Sequence, residues 1–240
     1  MVKSLEIMEH YFPALMRSLP TTFSLLFLSV IIALVLGFFL AWAKLCSKKI
    51  LKVLSGIFIS FMRGTPMMVQ ILLIFILVPM LAYEHGIDTS SWNPQFYAIV
   101  AFALNEAAFF AEIFRSAYLS LDYGQLEAAE SLGMSRFQVF CRVILPQSAA
   151  SALPNTTNMT LELMKNTSIA SVIGVYDILG KATQLAKNNY GAGQFELYIE
   201  VAFLFWIIGL LILAISNAMT AKLNRGNASY KKVSIFSARG

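Results

Sequence analysis

The chain has 240 residues, 58% of them hydrophobic and only 13% charged, with a formal net charge of +5. Soluble domains carry about 25% charged residues, and a mean hydropathy of +0.69 gives this chain more apolar surface than one water-soluble core would hold, which points to lipid. The basic residues form no single patch of the kind nucleic acid needs, and Cys46 and Cys141 stand too far apart to mark a disulfide framework or a metal spacing.

In chain order, Leu5, Met8, Phe12, Leu15 and Leu19 recur at near-helical spacing. They predict an amphipathic helix over 1–20 on the outer membrane surface, bent at Pro13. The uncharged run 21–43 is long enough to cross a hydrocarbon core of roughly 30 Å. It is too long for a signal-peptide core and lacks a small-residue cleavage site. Residues 50–62 read as an interfacial helix. In "RGTP", Thr65 can cap a helix and Pro66 suits its first turn. Span two is therefore expected at 66–82, with Arg63 anchored at the head-group level, its stem in the apolar layer.

The third span, 96–118, contains Glu106, Glu112 and Arg115. Glu112 and Arg115 are three apart and pair along the helix. Asn105 lies deeper, as helix glue or as a ligand contact. Segment 122–142 is polar. Residues 125–132 have helix-forming composition, Gly133 ends that helix, and Ser135 caps a second one carrying Phe137, Phe140, Cys141 and Ile144. The expected result is a helix–turn–helix bracket before the chain re-enters the bilayer at Pro146. Region 143–178 is a fourth span, interrupted by Pro154, Asn155, Glu162, Lys165 and Asn166, with Asp177 near its outer end as a cap or gate contact. A polar loop with Gly191 and Gly193 follows, either a docking surface or a plain connection, then a fifth span at 197–221 and a tail at 222–240. His10 and His85 are isolated, and neither is assigned a chemical role.

Lys and Arg set the orientation. Lys44, Lys48, Lys49, Lys52, Arg63, Arg115, Arg136, Arg142, Lys222, Arg225, Lys231, Lys232 and Arg239 fall on one face, against only Lys3, Arg17, Lys181 and Lys187 on the other. The basic face is expected to be cytoplasmic, the N-terminus outside and the C-terminus inside, so the bracket at 122–142 is cytoplasmic.

The stretch "LELMKNTSIAS" carries the densest polar chemistry inside a span. Ionisable residues at bilayer depth mark a pathway or a pair, and Glu162 and Lys165 fit either description. Asn166, Thr167 and Ser168 favour a helix interruption, whose free N–H groups would receive a carboxylate. With Lys165 and Glu162 beside them, such a site offers complements to both charges of an amino acid.

"EAAESLGMSRFQVFCRVILP" resembles the EAA loop of ABC-importer permeases: Glu-Ala-Ala, three residues, Gly, nine residues, then Ile-x-Leu-Pro, with Val143 in place of the Ile. "FMRGTPMMVQILLIFILVP", "NEAAFFAEIFRSAYLSLDYGQLEAAESLG" and "LMKNTSIASVIGVYDIL" are similar to the polar amino acid branch of those permeases, which serves histidine, glutamate, glutamine, arginine, lysine or cystine. The resemblance runs from about residue 21 to 221. It implies an all-α membrane protein with the type I importer permease fold: one permease domain over 1–240, five transmembrane helices, an N-terminal amphipathic helix and a cytoplasmic coupling helix. It implies uptake of a polar L-amino acid by alternating access in a bacterial inner membrane. The partners it implies are a second permease subunit (homo- or heterodimer), a pair of ATPase subunits and an extracytoplasmic amino-acid-binding protein.

No Walker A pattern occurs in the chain, so ATP and Mg are expected on the partner ATPase, with no cofactor, metal or catalytic residue here. The resemblance assigns ATPase coupling to Glu127, Ala128, Ala129 and Gly133, and substrate binding to Asn105, Glu162, Lys165, Thr167 and Ser168. Two other readings are a membrane-embedded enzyme using Glu106, Glu112 and the histidines, and a channel that works without ATP. The histidines fall outside the spans, and a channel leaves the bracket unexplained.

Overall fold

The computed structural model describes residues 2–224, with residues 2–7 as backbone alone. The expected roles of Lys3, Leu5, Arg225, Lys231, Lys232 and Arg239 rest on side chains outside the described residues. All regular structure among the described residues is helical. The elements are α1 (Val2–Met16), α2 (Leu19–Leu45), α3 (Lys49–Gly64), α4 (Met67–Glu84), α5 (Pro94–Leu119), α6 (Tyr123–Ser131) and α7 (Arg136–Val139). A π-helical turn (Phe140–Ile144), α8 (Leu145–Asn166), a 3-10 helix (Thr167–Ile173), α9 (Ile178–Asn188) and α10 (Gln194–Asn224) follow.

Among the described residues, α2, α4, α5 and α10 are each long and apolar enough to cross a membrane. α8 carries too many polar residues to qualify by composition. The apolar surface divides as a lipid-solvated bundle requires. On α2, Thr22, Leu25, Leu26, Ser29, Ala33, Gly37 and Ala41 face inward, while Phe27, Ile31, Phe39 and Trp42 are exposed.

The bundle is built around α5, which packs against α2, α3, α4 and α8. Its contact with α2 depends on small residues. A Cβ added to Gly37 would lie 2.8 Å from Phe110 Cβ and 3.1 Å from the Ala107 carbonyl oxygen. Ala33 and Ala41, one helical turn either side of Gly37, are buried with Ala107, Ala108 and Ala111. Close backbone approach of this kind holds membrane helices together, because lipid offers no hydrophobic drive between them. Polar bonds fix the remaining geometry: Ser29 Oγ donates to the Ile99 carbonyl at 3.3 Å, and the Thr157 and Ser216 hydroxyls meet at 2.5 Å between α8 and α10.

Packing adds to two expectations: the segment 50–62, read as an interfacial helix, lies within α3, and the amphipathic helix at 1–20 corresponds to α1. The second half of α3 packs lengthwise on α5, with Ile59 and Met62 buried against Ala108 and Ala111. The cause is its buried stripe of Ser55, Ile59 and Met62, small or apolar side chains that fit the alanine-rich face of α5. Arg63 consequently stands over the Phe109 ring, 5.4 Å from its centroid.

α1 keeps Pro13 inside the helix and packs on α9 and α10. Leu15 is fully buried there, whereas Phe12, expected on the same stripe, is exposed. Tyr11 replaces it on the inner face and accepts a bond from Asn189 Nδ2 at 2.5 Å.

Candidate functional site

Two regions bring the polar residues together. The first is the centre of the bundle. α3 ends at Gly64 and α4 begins at Met67, so the chain breaks its helix beside the middle of α5. Proline at position 66 cannot donate to the ladder, and Thr65 and Pro66 take extended backbone. The broken ends are satisfied by side chains, as a break away from water demands. Asn105 Nδ2 donates to the Met62 carbonyl at 3.1 Å and to Gln70 Oε1 at 2.9 Å. Gln70 Nε2 in turn donates to the Met62 carbonyl at 2.9 Å and to Thr65 Oγ1 at 2.7 Å. Both amide protons of Asn105 are therefore committed to the break. Gln70 was not singled out from sequence. Its signal was there, a lone amide in the apolar run after Pro66.

The break also leaves the first N–H groups of α4 without helical acceptors, as at any helix N-terminus. An interruption was expected in the fourth apolar region at Asn166–Ser168, and the chemistry differs there. Asn166 stays helical (φ −82°, ψ −8°) and the chain winds on into the 3-10 helix, whose i→i+3 bonds keep the N–H groups engaged. Thr167 Oγ1 and Ser168 Oγ each donate to Asp177 Oδ2 at 2.8 Å, and Asp177 Oδ1 caps α9 through the Gly180 N–H at 2.8 Å. Asp177 is 0% exposed. Thr167 and Ser168 thus form a largely buried knot that fixes the start of the 3-10 helix to the N-terminus of α9.

Glu162 and Lys165 lie on the exposed side of α8 in this subunit, and no ion pair joins them among the described residues. Each charge is therefore open to a ligand or a neighbouring subunit. Glu106, on α5, is 1% exposed, and its Oε2 has no hydrogen-bond partner. A buried carboxylate without a partner is costly, which makes Glu106 a functional candidate that substrate assignment from motifs did not include. Glu112 and Arg115 pair as expected, Nη2 to Oε2 at 2.8 Å. Lys44 of α2 donates to the other carboxylate oxygen, so the pair is a triad joining α2 to α5.

The second region is the bracket. Asp122 caps α6 through the Gly124 N–H at 2.9 Å. Gly133 turns the chain at φ +78°, the left-handed conformation glycine adopts freely. Ser135 and Gln138 close a reciprocal capping box at the start of α7. Gln147 Nε2 of α8 donates to Gln125 Oε1 at 2.7 Å, tying the bracket to the span behind it. Glu127 and Ala128 are exposed, while Ala129 is buried inside the bracket. At the tip, Leu132 is 83% and Phe137 74% exposed. Large apolar side chains this open on a polar loop are suited to a protein partner.

Comparison with known proteins agrees with this geometry. Residues 33–225 match the family described as "binding-protein-dependent transport system inner membrane component". The chain is 40% identical over 202 residues to the L-cystine transport system permease protein TcyL of Bacillus subtilis (strain 168), covering 84% of this chain and 83% of that one. It is 37% identical over 206 residues to the probable amino-acid permease protein YxeN of the same organism, covering 86% and 89%. In three dimensions it is similar to the crystal structure of an amino acid ABC transporter with histidines, with a TM-score of 0.75 and 32% identity, covering 90% of this chain and 96% of that one.

Proposed function

Because the chain belongs to the family of binding-protein-dependent transport system inner membrane components, and is a permease subunit of an ABC importer rather than an enzyme, we propose a route for its polar amino acid substrate through the centre of the bundle. The substrate carboxylate is received near Lys165 and the N–H groups opened by the break between α3 and α4. The ammonium, or a cationic side chain, is received by Glu162 and Glu106. Asn105, Thr167 and Ser168 act by holding the walls, through the bonds to Gln70 and Asp177. The observation that carries this reading is Glu106: a carboxylate at span depth with an unpartnered oxygen.

The subunit sits in a bacterial inner membrane. We propose that its N-terminus is outside, that α8 with the following 3-10 helix forms the fourth of five crossings, and that the α6–α7 bracket docks on a cytoplasmic ATPase that binds ATP and Mg. A second permease subunit and an extracytoplasmic binding protein complete the assembly. The test is ATPase stimulation in the reconstituted complex across a panel of amino acids. One or a few polar amino acids should stimulate hydrolysis. Equal rates with every amino acid and with none would refute substrate recognition by this system.

A further inference from the structure

A cleft of about 580 Å³ lies between α2, α5 and the chain running from the π-helical turn into α8. Its walls include Phe38, Trp42, Phe114, Phe140 and Ile144, and its volume is in the roughly 300–1,000 Å³ range of ligand sites. Polar groups are few in this mostly apolar lining, Arg136, Ser148 and Tyr118 among them. Arg136, at the start of α7, stands at its edge, with no carboxylate partner among the described residues. Ser148 Oγ, on α8, is buried with no hydrogen-bond partner. Trp42 is 58% exposed beside it, and tryptophan marks the membrane–water boundary. Cys46 also lines the cleft, followed in the chain by Lys48 and Lys49.

We propose that this cleft binds one anionic phospholipid, with an acyl chain along the aromatic wall and the phosphate at Arg136. A hydrocarbon alone would fill the wall but offer nothing to the guanidinium or the serine hydroxyl, whereas a phospholipid brings phosphate and ester oxygens as acceptors. The lysines after Cys46 add the positive field that concentrates acidic lipid at a membrane surface. The site has a structural consequence. Phe140 lies in the π-helical turn, an element found mostly at functional positions, and packs edge-on to Phe38 of α2 at 6.5 Å between centroids. A chain seated there braces the joint between the bracket and the span bundle. Only the leaflet, cytoplasmic, depends on the orientation proposed above.

The intact transporter complex is placed in nanodiscs of equal phosphatidylglycerol and phosphatidylcholine, released, and weighed by native mass spectrometry. The wild type should retain phosphatidylglycerol in preference. Arg136→Gln should reduce that preference about fivefold, the effect of one basic residue at an anionic surface. Ala149→Phe, which narrows the cleft, should lower retention of both lipids. Equal retention of the two lipids by the wild type, or an unchanged preference in Arg136→Gln, would overturn the proposal. So would a short-range cross-link from Cys46 to another subunit of the complex, which would put polypeptide in the cleft.

Discussion

Asn105 Nδ2 donates to Gln70 Oε1 at 2.9 Å, and this bond fixes the centre of α5 to the first turn of α4, beside the helix break at Thr65 and Pro66. The same amide reaches the Met62 carbonyl at 3.1 Å, so one side chain holds both broken ends. Asn105→Leu should remove both bonds and strand the Gln70 oxygen. The expected loss is about 1–2 kcal/mol, read as a lowered thermal midpoint of the purified complex, with uptake reduced more than membrane insertion.

Gly37 sets the distance between α2 and α5. Gly37→Leu drives a side chain into Phe110 and the Ala107 carbonyl, neither of which can withdraw. The cost should be about 1–3 kcal/mol, typical of overpacking, seen as lower yield of folded protein. Gly56→Leu is the control: a Cβ there meets nothing within 4 Å, and the isolated subunit should keep its stability.

Glu106 carries the proposed substrate route. Glu106→Gln keeps the shape and removes the charge. Uptake of amino acids with cationic side chains should fall roughly tenfold relative to neutral ones, matching a charged hydrogen bond of about 1.5 kcal/mol. An unchanged ratio between the two substrate groups would leave Glu106 without a substrate contact.

Gly133 turns the bracket at φ +78° with open space around it, so a substitution there is penalised by backbone conformation and not by a clash. Gly133→Val should cost about 1–2 kcal/mol locally and abolish uptake while insertion and folding of the spans persist. Gly133→Asn, which tolerates the left-handed region, should retain much of the activity. Full transport by the valine variant would contradict a coupling role for the turn.

The parts legible in the sequence were those with local causes. Long apolar runs gave α2, α4 and α10, and α5 despite its Glu106, Glu112 and Arg115. Gly133 and Ser135 gave the bracket, because a turn and a cap are decided by a few neighbouring residues. The Glu112–Arg115 pair followed from its spacing, but Lys44 comes from a helix far away in sequence, and no spacing rule reaches it. The packing of α3 on α5 was out of reach for the same reason. The α3 stripe of Ser55, Ile59 and Met62 fits an interface helix or an alanine-rich neighbour equally well, and only packing decides. The polar cluster at Asn166–Ser168 looked like a broken helix because its residues cap well. The α-helix does end at Asn166, but the chain winds on as 3-10 helix and Asp177 claims two of the hydroxyls, whereas at Thr65 and Pro66 the backbone leaves the helix altogether.

The central claim is that the α6–α7 bracket passes the motion of an ATPase to the spans, and contact between the two tests it most directly. Phe137→Cys, in a chain with Cys46 and Cys141 replaced by serine, is treated with a short thiol cross-linker in inside-out vesicles holding the active complex. The account predicts a cross-link to the ATPase subunit whose yield changes on adding ATP. Modification of this cysteine only by impermeant reagents added to the outside of intact cells would contradict it, as would sustained ATP-driven uptake with no such cross-link.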